Sequence, residues 1–338
     1  MYKKGFFLFF YLLCFEAIIA QEIKILAENT GVSIRGLSVV DDRVIWVSGS
    51  GGTVGRSVDG GETWLWMQVA GFEQVDFRDI EAFDGVTAII MGVASPGYIL
   101  KTINGGTSWK VVFEEHDANI FMDAMEFWNE DSGIVVGDPA DGKIFVIRTF
   151  DGGNSWQKIP EVNRPVAEKG EAMFAASGTN IRAISLSEAA FVTGGMRSRI
   201  FIRDNRYDLP LLQGKETTGA FSLAVYNGKK RKTASRLAVA GGDYAADTVK
   251  NGNCALSRDG GKTWKAPENG PSGYRSCIEF ISRNKLIACG TSGVDISSNG
   301  GNNWKLISTE GFHVCRKAKN GKNVFLAGAN GRIARLVW

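Results

Sequence analysis

Four arginines, Arg35, Arg78, Arg182 and Arg275, stand at the starts of short strand-like segments, and Asp123 and His313 occupy the same place in two more. Guanidinium groups gathered at one mouth would hold a carboxylate, sulfate or phosphate through paired N–H donors. The competing use of the same residues is a salt-bridged collar closed by Asp79, Asp123 and neighbouring strand ends. A second set of candidates, Asp138, Glu171, Arg197, Arg199, Asp243 and Tyr244, falls in loops at 137–142, 161–180, 194–199 and 241–253. Long loops rich in polar and aromatic residues suggest a binding wall, although such loops can also satisfy themselves. His116 and His313 are the two histidines, and no cysteine pair has metal-ligand spacing, so neither a metal nor a cofactor is expected.

What would position these groups is a repeat. An octapeptide recurs five times: Ser57–Trp64, Thr102–Trp109, Thr149–Trp156, Ser257–Trp264 and Ser297–Trp304. Each has Asp or Asn at its third position (Asp59, Asn104, Asp151, Asp259, Asn299), then Gly-Gly, and ends in Trp (Trp64, Trp109, Trp156, Trp264, Trp304). The Asp or Asn can accept backbone amides, the glycines supply positive φ for a tight hairpin, and the Trp folds back as an apolar plug. These are folding devices and not a catalytic site.

The tryptophan spacings are 45, 47, 108 and 40 residues. The long interval is two periods with one octapeptide missing, near Asp204-Asn205. A period of 40–50 with several short strands is the propeller signature. The reading is an all-β, seven-bladed propeller of four-stranded antiparallel blades near 31–70, 76–113, 119–162, 178–214, 219–268, 273–309 and 312–338. The last of these has three strands of its own, and the N-terminal strand Glu22–Glu28 closes it, hiding both sheet edges. The octapeptides mark the lower face. The inner strands start at the upper face, where the arginines and the long loops would surround the channel.

Composition adds limits. Lys plus Arg number 39 against 36 Asp plus Glu, which does not suggest a nucleic-acid partner, and the basic run Lys229–Lys232 reads as a solvated hairpin tip. Residues 1–20 combine Lys3 and Lys4 with the apolar run Phe6–Phe15 and Ala20 at a plausible cleavage point. They read as a signal peptide, too short to span a bilayer, followed by one propeller domain over 21–338. Cys14 lacks the small preceding residue that a lipidation site needs. Cys277 and Cys289 could face each other across a hairpin turning near Arg283 and Asn284, while Cys254 and Cys315 join them as buried small residues or disulfide partners.

Octapeptides and spacing together resemble the sialidase-type Asp-box superfamily over essentially the whole mature chain. Short Gly-x-Gly second strands and Asp/Asn-Gly-Gly-x-x-Trp hairpins look most like the photosystem II stability and assembly factor family. That resemblance implies a seven-bladed propeller that binds protein partners and carries no known chemistry. The segments Gly137-Asp-Pro139, Gly170–Thr179 and Gly241–Tyr244 resemble exported bacterial propellers labelled oxidoreductase-like or glycosyl hydrolase-like, a fold-level analogy. A sialidase-like glycosidase or lyase acting on an acidic sugar would draw its arginine triad from among Arg35, Arg78, Arg182 and Arg275, pair Tyr244 or Tyr274 with Glu171, and use Asp123 or Asp243 as acid. The Arg-Ile-Pro segment of that group is absent. An oxidoreductase is weaker still, since no Gly-x-Gly-x-x-Gly leads from a strand into a helix. The expectation is an exported, periplasmic or secreted, monomeric binding propeller. Its upper face would engage a protein or glycan partner, with an anionic ligand possible at the arginine mouth and no transmembrane segment.

Overall fold

Short apolar strands separated by Gly- and Asp-rich turns cannot each bury two faces alone, so they stack as radial sheets. The computed structural model describes residues 21–226 and 233–338; residues 1–20, expected above to be a signal peptide, and the run Lys229–Lys232 lie outside the described residues. Seven sheets form a seven-bladed propeller. Blade one pairs Ile34–Val39, Ile45–Gly49, Thr53–Ser57 and Leu65–Gln68 in order, and blade two pairs Phe77–Ala82, Ala88–Gly92, Gly97–Thr102 and Lys110–Glu115. Blade three begins at Met122–Phe127, blade four at Ile181–Ala183, blade five at Thr218–Tyr226, blade six at Cys277–Phe280 and blade seven at Val314–Lys317. Glu22–Ala27 pairs antiparallel with Ile333–Val337 as the outermost strand of blade seven, Glu22 opposite Val337. The ring is therefore closed between the two ends of the described chain, as expected.

The core lies between blades. Second strands such as Ile45–Gly49, Ala88–Gly92 and Leu286–Gly290 are buried along their whole length. Trp46 and Val54 of blade one pack with Ile80, Ile90 and Leu100 of blade two. The octapeptide turns make the same joint from below. Asp59 Oδ1 accepts the Thr63 amide at 2.9 Å, Ser57 Oγ accepts the Gly61 amide at 2.9 Å, and Trp64 Nε1 donates to the Gly61 carbonyl. A Cβ on the second glycine would strike the preceding blade: Leu26 Cδ1 at 2.7 Å from Gly61, Ile89 Cδ1 at 2.3 Å from Gly153, Ile202 Cδ1 at 2.6 Å from Gly261. Each such turn is thus a socket for its neighbour's aliphatic side chain, and φ there is positive, which favours glycine twice over.

Two blades depart from the repeat. Blade four replaces the octapeptide with a two-residue turn, Arg203-Asp204, between Ile202 and Asn205, which pair directly. The four-stranded antiparallel blade is the rule in the other six sheets, as expected, and blade five elaborates it. Its sheet has five strands, because Glu171–Ala172 and Gly194–Gly195 add to the inner edge at the top, while its usual fourth strand is reduced to the single bridge Leu256–Lys265. Cys277 and Cys289 do stand opposite each other in blade six. Both, like Cys254 and Cys315, are buried free thiols.

Candidate functional site

The inner strands share a register that defines a ring. Val40, Phe83, Trp128, Ile184, Ile281 and Ala318 each close a lower turn through their amides. Counting five residues back from each reaches Arg35, Arg78, Asp123, Thr179, Ser276 and His313. All but Thr179 line a cavity of about 380 Å³ at the upper mouth, joined by Phe221 of blade five. Arg35, Arg78, Asp123 and Phe221 are each the extra residue of a β-bulge, between Ile34 and Gly36, Phe77 and Asp79, Met122 and Ala124, and Ala220 and Ser222. Bulges re-aim side chains at functional rims. The facing strands carry Gly49, Gly137 and Gly241 opposite the bulges, where a Cβ would come within 2.4, 2.2 and 1.8 Å of the Ser33, Phe121 and Gly219 carbonyl oxygens.

The floor comes from the long connection before blade four. Residues 171–179 are buried or half-buried and turn inward across the axis instead of standing on the rim. Met173 N–H donates to Asp138 Oδ1 at 2.8 Å, and Arg35 Nη1 donates to the Ala176 carbonyl at 3.1 Å. Ser177 Oγ donates to the Ser276 carbonyl at 2.8 Å, and Phe174 stacks on Phe221 at 3.9 Å. One segment is thereby tied to blades one, three, five and six, and it stops the channel beneath the mouth.

The mouth has two chemical halves. Arg35, Arg78 and His313 stand on blades one, two and seven. Phe174, Phe221, Tyr244 and Tyr274 form an aromatic wall opposite, with Tyr244 and Tyr274 edge-on to Phe221 at 6.0 and 4.8 Å. Arg78 Nε bonds Asp76 at 2.7 Å. Burial, then the neighbouring Arg78, lowers the Arg35 guanidinium from its ordinary value. His313 is pushed down to about 4 by burial and by Arg35, so it is neutral at pH 7. Its Nδ1 lies 3.0 Å from the Ile34 carbonyl. Asp123 is wholly buried, and neither carboxyl oxygen meets a donor at full hydrogen-bond geometry. Burial raises Asp123 well above the usual carboxylate range, with Asp138 adding to the rise and Arg78 and the backbone at Asp138 and Ala175 tempering it.

Two arginines expected at this mouth lie elsewhere. Arg275 precedes the ring position by one residue, so strand alternation turns it away from the channel. It is fully buried and bonds Asp295 through Nε at 2.7 Å. Arg182 lies three positions further down its strand and belongs to the lower mouth, paired with Glu279 and 3.8 Å from Glu126. The loop candidates also separate. Glu171 and Arg199 form a buried ion pair that anchors the stem of the crossing segment, with Arg199 Nε 2.9 Å from Oε1. Arg197 grips Asp208 bidentately on the surface at 2.8 and 2.7 Å. Asp243 is buried and caps its own turn through the Ala245 amide, and Asp138 holds Met173. Tyr244 alone of the loop set lines the cavity. The sequence reading missed Phe121, Met173, Phe174 and Phe221. The signal was available: Ala172–Ala176 is too apolar for a solvated loop and needed a place to be buried.

At the opposite end, Ser38, Glu81, Glu126, Arg182, Glu279, Arg316 and Lys319 line a cavity of about 350 Å³. Here charges meet charges. Arg182 is shared by two glutamates, and Lys319 Nζ reaches Glu81 at 2.5 Å and the Ala82 carbonyl at 2.9 Å. Among the described residues, no group of three or more His, Cys, Asp or Glu is placed to hold a metal ion, and no helix is long and apolar enough to cross a membrane.

No family model matches the chain, and no curated protein matches it. Solved structures do. A structure of YCF48 bound to D1 peptide has a TM-score of 0.65 at 18% identity, over 94% of this chain and 95% of that one. YCF48 from Cyanidioschyzon merolae has a TM-score of 0.66 at 14% identity, over 94% and 98%. The WD40 β-propeller domain of Doa1 has 0.62 at 15% identity, over 94% and 97%. The likeness expected from the sequence, to photosystem II assembly-factor propellers, is met at the level of fold. This chain is a seven-bladed propeller, similar in fold to these solved structures over more than nine-tenths of its length.

Proposed function

We propose that this chain is a non-catalytic binding propeller that engages a peptide segment of a protein partner at its upper mouth. The observation that carries the reading is the division of that mouth into a cationic half and an aromatic half around a buried carboxyl that has no partner. Polar groups left unpaired in a formed cavity mark the place where a ligand supplies the missing bonds. The solved YCF48 structure described as bound to D1 peptide supports the same class of partner. A sialidase-like reading loses its basis in the separation of the arginines, since Arg182 and Arg275 stand apart from Arg35 and Arg78. We further propose that the protein works after export, on the strength of the charged and apolar pattern of residues 1–20.

The test is panning of a displayed random heptapeptide library on the purified protein, followed by titration of the selected peptides. Peptides that bind the wild type and lose at least tenfold in affinity with Arg78→Gln or Tyr244→Ala support the reading. Selected peptides indifferent to both changes overturn it.

A further inference from the structure

A carboxyl group sealed from water and lacking a donor is poorly placed to hold a negative charge, and it neutralises instead. Asp123 is close to that position: it is fully buried, neither oxygen meets a donor at full hydrogen-bond geometry, and the backbone at Asp138 and Ala175 only tempers the effect of burial. The charged groups around it reinforce the point. Asp138, from the top turn of the same blade, carries a charge of the same sign and is occupied by the Met173 amide. Arg78 of blade two, the nearest cation acting on it, is already engaged by Asp76. Asp79, one residue beyond Arg78, is also buried and spends its oxygens on the Ile80 and Met125 amides at 2.8 and 2.7 Å. The crossing segment offers backbone and apolar side chains, and His313 across the mouth is neutral. A neutral carboxyl has one O–H to donate. The polar wall, formed by Arg35, Arg78 and Asp123, therefore presents more donors than Asp76 and the Ala176 carbonyl take up, while the opposite wall is aromatic.

We propose that the upper mouth is a proton-requiring site for a carboxylate bearing an aromatic or other apolar group, in which neutral Asp123 donates its proton in a hydrogen bond to the ligand's carboxylate beside Arg35 and Arg78. The ligand's two oxygens accept the three donors and bring the negative charge that the mouth lacks. Its apolar part covers Phe221, Tyr244 and Tyr274. A carboxyl kept neutral by an apolar site so that it can donate is an established device in enzymes; here it serves recognition. In a peptide partner, the fitting group is a carboxylate next to an aromatic or aliphatic side chain. This inference rests on the upper mouth being the binding surface and specifies what that surface selects.

The coupling has a sign. Binding holds Asp123 in its protonated form, so affinity is full at low pH and falls as pH rises through the Asp123 pKa of the free protein, by up to about tenfold per pH unit. The experiment is calorimetric titration of the purified protein with 3-phenylpropionate between pH 5 and 8, with 2-phenylethylammonium as the cationic counterpart. The wild type is expected to bind 3-phenylpropionate with that falling affinity and with proton uptake in the same range. Asp123→Asn, whose carboxamide still donates, is expected to keep binding and lose the slope, whereas Asp138→Asn keeps it. His313, held down to about 4 by burial and Arg35, is neutral over most of this range. Affinity that rises with pH, a preference for the ammonium probe, or an unchanged slope in Asp123→Asn overturns the proposal. If neither probe binds while selected peptides still engage the upper mouth, the proposal falls and the peptide-binding reading stands. If the peptides fail as well, both fall.

Discussion

The two mouths of this channel are built from the same strands, enclose similar volumes of about 380 and 350 Å³, and treat charge in opposite ways. At the lower mouth, Arg182 sits between Glu126 and Glu279, and Lys319 caps Glu81 together with the end of blade two. At the upper mouth, Arg35 bonds only a backbone carbonyl among its hydrogen-bond partners, and Asp123 bonds nothing at full geometry. A folded chain satisfies its buried polar groups wherever folding is their sole purpose. The acidic groups of the lower ring follow that rule, while Arg316 Nη1 there and the indole Nε1 atoms of Trp109 and Trp156 go unpaired as well; the upper ring differs in leaving a buried carboxyl without a donor at full geometry where a partner would dock.

The largest effect that would break this comparison lies on the lower face. Trp156 is 8% exposed and packs edge-on against Phe127, so Trp156→Ala should cost about 3–5 kcal/mol, read from urea midpoints, with peptide affinity at the upper mouth unchanged. Next is Arg182→Ala, which strands two glutamates and should cost roughly 3 kcal/mol. Arg78→Gln, which removes one half-exposed pair with Asp76, should cost under about 1 kcal/mol while lowering peptide affinity at least tenfold. If the two arginines behave alike in both assays, the distinction between the mouths fails.

Smaller effects follow from titration. Asp123 has a folded-state pKa above its unfolded value, so stability is fullest below about pH 4 and declines as pH rises toward the folded pKa. Asp123→Asn should therefore raise the melting temperature at pH 7, by an amount that shrinks toward pH 4. The octapeptide aspartates have the opposite sign. Asp59 and Asp259 are lowered to about 2 chiefly by hydrogen bonds from Thr63 and Thr263, and Asp151 to about 2, where bonds from Ser155 and Thr149 outweigh burial. Their contribution is complete above about pH 4 and lost as pH falls through about 2. Replacing all three with Asn, the residue already present at Asn104 and Asn299, should flatten acid unfolding in that window, followed by circular dichroism.

The blades were legible because the octapeptide is local: Asp59, Gly60, Gly61 and Trp64 contain their own turn, and spacing alone then counts the ring. The site was legible in part, for a reason of register. Arg35 and Arg78 could be placed because their strands begin where the apolar pattern begins. Arg275 was misplaced by one residue, enough to reverse its face. Arg182 was misplaced because blade four's channel-facing residues start at Thr179, inside a segment that reads as loop. Glu171 and Arg199 look like a binding wall when they are seen as charges in long loops. They are instead the anchor of the segment that crosses the axis, and nothing in their own neighbourhood of sequence shows that they meet. The aromatic wall was invisible for the same reason, since Phe174 and Phe221 are joined only by that crossing.

The most direct measurement is titration of one selected peptide into three proteins: the wild type, Arg78→Gln combined with Tyr244→Ala, and Lys319→Gln, each shown by thermal melting to be folded. Loss of at least tenfold in the upper-mouth variant, with the lower-mouth variant matching the wild type, is the predicted result. Loss in Lys319→Gln with the upper-mouth variant intact would place recognition at the other end of the channel and contradict the account.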